Sequence, residues 1–159
     1  MFDIILKTPI GHLGVSCDGE KLKAIHYLEQ SIVPLPRAKQ STHVRKIAKE
    51  LESFFHHPIC LKKLAVTLSG TPFQNKVWKA LRQIPLGETC TYGELAKKLN
   101  TSARAIGMAC RTNPIALVVP CHRVVAASDV GGFCGQLKGS KIAIKQWLLH
   151  HEKAVNCED

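Results

Sequence analysis

Along residues 1–28 the apolar positions fall in short runs divided by glycine: Phe2 to Lys7, Leu13 to Cys17 and Leu22 to Leu28. Runs of this length bounded by turn residues read as strands. Ser31 to Gln40, with Pro34 and Pro36, reads as a loop. The period then changes. After Ser41 or Thr42 as the cap, Val44, Ile47, Ala48, Leu51, Phe54 and Phe55 recur at helical spacing, and Pro58 stops the helix. Leu61 to Leu68 is expected to return as a strand. The pattern predicts a small α+β domain over residues 1–69.

Residues 70–159 open on a strong helix start. Thr71-Pro72-Phe73-Gln74 supplies a cap, a proline at the first helical position and a capping-box glutamine. Phe73, Val77, Ala80, Leu81 and Ile84 are its expected buried stripe. Thr91-Tyr92-Gly93-Glu94 is a second capping box and opens a short helix to Leu99; a third helix is expected from about Ser102 to Arg111. Two short helices with a tight turn between them have the sequence form of a helix-turn-helix. Ile115 to Val119 is expected to be a buried strand, Val124 to Ala126 extended, and Val130 to Gly139 a Gly-rich loop. Ser140 caps a last helix carrying Ile144, Trp147, Leu148 and Leu149.

Composition narrows the class. An apolar fraction of 45% and a charged fraction of 21% belong to an ordinary globular protein. No apolar run approaches a membrane span, and no secretory signal is visible, so a cytoplasmic protein is expected, nucleoid-associated if bacterial. Seven cysteines without regular spacing then argue for reduced thiols rather than a disulfide framework. The net charge of +10 points to a polyanionic partner such as nucleic acid. Its distribution sharpens this. From Gln74 to Arg111 there are seven Lys or Arg against two Glu, whereas residues 1–69 have ten against six.

One cysteine keeps unusual company. Cys121 follows an apolar run and Pro120, and adjoins His122 and Arg123, whose positive potential favours thiolate, the nucleophilic form of sulfur. An arbitrary cysteine is more often a small buried hydrophobe, and a four-residue motif alone does not overturn that. His56-His57 with Cys60 lacks a second ligand pair at metal-site spacing, and no metal is expected.

The wider pattern is more specific. Pro120-Cys121-His122-Arg123-Val124 after Asn113-Pro114 resembles the active-site segment of the O6-alkylguanine-DNA alkyltransferases. The resemblance runs in order through Gly70-Thr71-Pro72-Phe73-Gln74, Val77-Trp78, Ile84-Pro85, Gly87-Glu88-Thr89, Tyr92-Gly93-Glu94-Leu95-Ala96, Ala103-Arg104-Ala105-Ile106-Gly107, and Trp147-Leu148-Leu149 with Glu152. Residues 1–69 match only in layout, through Thr8-Pro9-Ile10-Gly11.

That resemblance implies an α+β fold: a ribonuclease-H-like N-terminal domain followed by a winged helix-turn-helix-like domain. It implies DNA repair by stoichiometric transfer of an alkyl group from O6-alkylguanine in duplex DNA, with O4-alkylthymine as a second candidate substrate, onto Cys121. His122 and Glu152 would activate the sulfur through water, and Tyr92 would deliver a proton to the departing base. Arg104 would fill the space left by a flipped base, since the alkyl carbon is out of reach inside a duplex. Ala103, Ser102, Arg111, Thr71 and Tyr92 would meet the DNA on its minor-groove side. Asn113, Arg123, Val124, Phe133, Cys134 and Gly135 would form the base pocket. The small Ala103, Ala105, Gly107 and Ala109 would allow the helix close approach. No cofactor is required, and a monomer is expected.

The sequence departs from the family in the loop Gly132-Phe133-Cys134-Gly135-Gln136-Leu137, where Gly-Tyr-x-Gly-Gly-Leu is usual. Phe133 keeps the ring without its hydroxyl, Gln136 replaces a glycine, and further residues follow to Ser140. Two other classes compete with the alkyltransferase. A DNA-binding sensor without chemistry would not need Cys121. A thiol hydrolase or redox enzyme would need an oxyanion hole or a Cys-x-x-Cys pair, and neither is evident.

Overall fold

In the computed structural model, β1 (Ile4–Thr8), β2 (Gly11–Asp18) and β3 (Lys21–Leu28) form an antiparallel meander in the order β1-β2-β3. The structure describes residues 2–28, 41–59, 61–127 and 140–156. Pairing of Ile4 with Val15 and of Val15 with Ile25 sets one buried row across the sheet, and Leu6 opposite Leu13 begins the next. A bulge at Ser16/Cys17 shifts the register by one residue. It turns both Leu22 and Ile25 inward, although they are three positions apart. Helix α1 (Thr42–His56) packs against β1, and the six residues that its sequence period singles out are the ones it buries. Its N-cap is Ser41, whose hydroxyl accepts from the Val44 N–H.

Contacts divide the chain into two units. The first is Met1–Leu68 with Pro114–Val118, and the second is Ser69–Asn113 with Val119–Asp159. Pro114–Val118, which the sequence pattern leaves in the second half, therefore makes its contacts in the first. Two expected strands are corrected here. Leu61 to Leu68 begins as a 3-10 turn, Leu61–Lys63, and its strand pairing among the described residues is one parallel bridge from Val66 to Leu22. The adjacent exposed Lys62 and Lys63 break the two-residue alternation that a half-buried strand needs. Ile115 to Val119 is buried throughout, yet only Ile115 pairs, in parallel with Ile25. Leu117 then adopts φ +75°, with the Val118 N–H donating to the Ala116 carbonyl at 2.9 Å. This is a γ-turn of the uncommon positive-φ hand, strained for a branched side chain. A continuous apolar run reports burial and does not by itself report extension.

The second unit is built from helices α2 (Pro72–Leu81), α3 (Tyr92–Lys98), α4 (Ala103–Arg111) and α5 (Ser140–Asn156), with a two-residue parallel pair, β4 (Cys90–Thr91) and β5 (Val124–Val125). Both capping boxes form, Thr71 with Gln74 and Thr91 with Glu94. The buried stripe of α2 differs from expectation: Val77, Trp78 and Leu81 are inside, whereas Phe73 is exposed. Trp78 takes the inner position because its indole N–H donates to the Ala109 carbonyl at 2.9 Å, tying α2 to α4. Gly70 makes room for the ring, since a Cβ there would lie 2.6 Å from it. The turn between α3 and α4 is short because Asn100 takes φ 55°, a region Asn enters more readily than most residues. Among the described residues, no helix is long and apolar enough to cross a membrane.

Candidate active site

The backbone fixes Cys121 from both sides. Pro120, at φ −82° and ψ 67°, centres an inverse γ-turn in which the Cys121 N–H donates to the Val119 carbonyl at 2.8 Å. The same carbonyl accepts from the Asn113 side-chain amide at 2.8 Å, so both of its lone pairs are engaged. Cys121–Arg123 then forms one 3-10 turn, and β5 follows, pairing Val124 with Cys90 and Val125 with Thr91. Because Thr91 is also the N-cap of α3, this pairing fixes Tyr92 relative to the cysteine turn. Cys121 is 7% exposed.

The two residues after Cys121 enter a buried charge network. His122 and Glu152, 0% and 1% exposed, meet at 2.6 Å between Nε2 and Oε1. Arg123 grips the same carboxylate with two donors, Nε to Oε2 and Nη2 to Oε1, each at 3.0 Å. Its Nη1 donates to the Ile84 carbonyl at 2.7 Å. Burial alone would raise the Glu152 pKa; the charge and hydrogen bond of His122, joined by those of Arg123, outweigh it and hold the carboxyl down at about 2. An ionised carboxylate only accepts hydrogen bonds, so His122 Nε2 must carry the proton that it donates. In the neutral ring Nδ1 then holds the lone pair. That nitrogen is buried, with no hydrogen-bond partner among the described residues. The arrangement presents an imidazole base whose tautomer and orientation are set by Glu152, and Glu152 in turn is set by Arg123.

Tyr92 is half-buried, and its phenol is pushed up to about 12, by burial first and then by Cys110 and Cys121. It therefore keeps its proton at neutral pH and can donate it. Lys145 is 0% exposed; its ammonium donates to the Val124 carbonyl at 2.7 Å and stands 5.7 Å from the centroid of the Tyr92 ring. Sequence reasoning missed this residue. The signal was present in the period of α5, where Lys145, Leu148 and Glu152 lie on one buried stripe while Ile144 and Leu149 are only half-buried. Three further thiols among the described residues are held above their ordinary values. Burial, with Asp3, takes Cys17 to about 11; burial and Glu94 raise Cys90; burial, then Cys121, pushes Cys110 well above its ordinary value.

The remaining residues expected at the site separate into two groups. Asn113 and Arg123 support the cysteine turn, with the Arg123 guanidinium directed at Glu152 and Ile84. Val124 is buried, and its carbonyl accepts from Lys145. Thr71, Ser102, Ala103, Arg104 and Arg111 are exposed along α2 and α4. Ser102 is the N-cap of α4, accepting from the Ala105 N–H at 3.1 Å. A Cβ at Gly107 would meet nothing within 4 Å, so no internal contact demands glycine there, while Ala109 faces the core. Phe133, Cys134 and Gly135 lie outside the described residues. No cluster of three or more His, Cys, Asp or Glu able to hold a metal ion occurs among the described residues.

Comparison with known proteins gives a consistent result. Residues 72–154 match the family model of the 6-O-methylguanine DNA methyltransferase DNA-binding domain. A methylated-DNA–protein-cysteine methyltransferase of Methanosarcina acetivorans is 36% identical over 159 residues, covering 96% of this chain and 98% of that protein. Its namesake in Shigella flexneri is 36% identical over 163 residues, 92% of each chain. Among solved structures, the O6-methylguanine methyltransferase of Mycobacterium tuberculosis superposes with a TM-score of 0.74 at 32% identity, covering 98% of this chain and 97% of that one. A Mycobacterium tuberculosis OGT in complex with DNA gives a TM-score of 0.75 at 36% identity, over 94% and 91% of the two chains. With its family model matched across residues 72–154 and its relatives aligned over nearly their whole length, this chain belongs to the O6-methylguanine-DNA methyltransferase family.

Proposed function

We propose that this chain repairs alkylated DNA by moving the alkyl group from O6 of guanine in a duplex onto its own Cys121, once per molecule. The observation that carries the assignment is the buried His122–Glu152–Arg123 network directly following that cysteine. His122 Nδ1 takes the thiol proton through a water. The thiolate then attacks the alkyl carbon in line; the C–S bond forms as the C–O bond breaks, and the electron pair leaves on the guanine. Tyr92 donates the proton that neutralises the departing base. The thioether has no easy hydrolytic exit, so the protein is consumed. No step calls for a metal or an organic cofactor.

The same proposal extends to architecture and substrate handling. The first unit is read as a ribonuclease-H-like domain, and the second as a winged helix-turn-helix with α4 as the helix entering the minor groove. Arg104, exposed at the second position of α4, fills the gap left by the flipped base. Minor-groove contact is poor in sequence information, which suits a lesion occurring in any context. One monomer suffices, since every group named above lies in one chain.

Intact-mass measurement after mixing the protein with a duplex containing one O6-methylguanine tests the assignment. The expected result is a permanent gain of one methyl, mapped to Cys121. Cys121→Ala should lose transfer entirely while still binding the duplex. Binding without mass gain in the unaltered protein would favour a damage sensor, and a methyl found on Cys110 or Cys134 would overturn the nucleophile.

A further inference from the structure

Two large apolar side chains are exposed among the described residues, Phe73 at 37% and Met108 at 54%. They line the same groove. It has a volume of about 300 Å³ and lies between the start of α2 and α4, with Thr71, Gln74, Ala105 and Thr112 among its walls. Neither residue takes part in the chemistry above. Leaving both in solvent calls for an explanation, because adjacent exposed hydrophobes mark contact surfaces more often than isolated ones do.

The polar groups of the groove are turned inward upon one another. Thr71 Oγ accepts from the Gln74 N–H at 3.1 Å, and Gln74 Oε1 accepts from the Thr71 N–H at 2.9 Å. Gln74 Nε2 donates to Thr112 Oγ at 3.1 Å, and that hydroxyl is within reach of the Met108 and Ala109 carbonyls. What the groove offers to a visitor is therefore mainly carbon. The two helices that form it carry charge of one sign. Lys76 and Lys79 on α2 and Arg104 and Arg111 on α4 are exposed, and neither helix contains an acidic residue. An occupant must combine an apolar face with a dense negative edge. A nucleic-acid strand does so, through the carbon faces of its deoxyribose rings between phosphates; an ordinary protein helix or a second copy of this basic chain does not.

We propose that Phe73 and Met108 pack against deoxyribose rings of the DNA strand and supply an apolar, salt-independent share of its affinity. The proposal rests on the DNA-repair function above and adds to it a contact that reads neither base nor phosphate. Dispersion and burial against sugar carbons are the same for every nucleotide, so the contact strengthens binding without selecting sequence. Phosphate contacts behave differently: each one neutralised releases counterions and steepens the fall of affinity with salt.

The experiment is a titration of a fluorescent duplex carrying one O6-methylguanine, by anisotropy, across a series of KCl concentrations. The double variant Phe73→Ala/Met108→Ala should bind about tenfold more weakly at every salt concentration, with the slope of log affinity against log salt unchanged. Phe73→Leu/Met108→Leu should retain most of the affinity. Met108→Gln keeps the length of the side chain at a largely exposed position and should lose affinity as the alanine does, which guards against misfolding of the double variant. Arg111→Ala provides the contrast, with a shallower slope. Unchanged affinity in Met108→Gln and the double variant would overturn the proposal, as would a loss that vanishes at high salt. Absence of any salt-dependent duplex binding by the unaltered protein would instead sink the underlying DNA-repair assignment.

Discussion

In the second unit, His122, Arg123, Lys145 and Glu152 are buried, and each has a directed partner. On α2 and α4 of the same unit, Lys79, Arg104 and Arg111 stand in solvent. The two regions use charge in opposite ways. A buried charge has given up its hydration, so its position is enforced by whatever replaces the water, and removing one partner leaves the other stranded. An exposed charge keeps its hydration and acts on a partner at a distance, screened by salt and tolerant of geometry. Chemistry at a sulfur needs the first kind, because a base must hold one tautomer in one place. Capture of a duplex at any sequence needs the second. Mutations in the two regions should therefore fail differently, one through stability and rate, the other through affinity.

The largest effect should come from breaking the buried set. Glu152→Ala strands the Arg123 guanidinium without a counter-charge and leaves His122 Nε2 without its acceptor, which should destabilise the protein by about 3–5 kcal/mol and abolish transfer. Glu152→Gln keeps the shape and one acceptor and should lose less stability while still lacking the charge that sets the histidine. Urea unfolding together with single-turnover transfer separates the two. A loss below about 1 kcal/mol in the alanine variant would show that the network relaxes into water and that its charges behave as exposed ones do.

Acid should dissolve the same network more gently. The Glu152 carboxyl is depressed from 4.5 to about 2 in the folded protein, so it stabilises the fold fully above its unfolded value. That contribution, roughly 3 kcal/mol, fades as pH falls from about 5 toward 2. Glu152→Gln should flatten this part of the stability profile. If wild type and variant lose stability in parallel across that window, other carboxylates govern acid unfolding.

How far the sequence alone reaches follows the same division. Local features could be read directly, because caps and helix faces are set within a few residues: Thr71 and Thr91 cap as expected, Ser41 caps where Ser41 or Thr42 was open, and the α1 stripe matches residue for residue. Buried features that depend on distant partners were harder to see. Nothing near Arg123 in sequence announces that its guanidinium reaches Glu152 and Ile84, or near Lys145 that its ammonium reaches the Val124 carbonyl. The resemblance to a known family supplied His122 with Glu152, but not the part Arg123 plays in holding that pair. Backbone turns were also hidden. The positive φ of Leu117 interrupts a run whose composition is that of a strand, and only the tertiary setting requires it.

On the exposed side, Arg104 should matter most. Extruding a guanine opposes unstacking and unpairing of a few kcal/mol, part of which an inserted side chain returns. Arg104→Ala should slow transfer from duplex DNA by about tenfold to a hundredfold. Transfer from a free O6-alkylguanine base, which needs no flipping, should fall far less. Single-turnover rates on both substrates decide it. Equal losses on the two would place Arg104 in the fold or the base pocket, and would blur the separation of capture from chemistry.

The smallest effect should belong to Arg111. It ends α4, is exposed, and sits where a cation also favours the helix dipole, so two small terms are lost together in Arg111→Ala. The dipole term is a few tenths of a kcal/mol and shows in thermal unfolding without DNA. The phosphate term is separable because it depends on salt: loss of one neutralised phosphate should lower the slope of log affinity against log salt by about one. Affinity should drop a few-fold near physiological salt, uniformly across duplex sequences, and the difference should shrink as salt rises. Arg111→Lys keeps the charge and should restore the slope. A sequence-dependent loss would assign Arg111 to base contact, whereas an unchanged slope with a lowered melting temperature would leave it only its helix role. Either outcome would move the boundary between the two regions to somewhere between Arg104 and the end of α4.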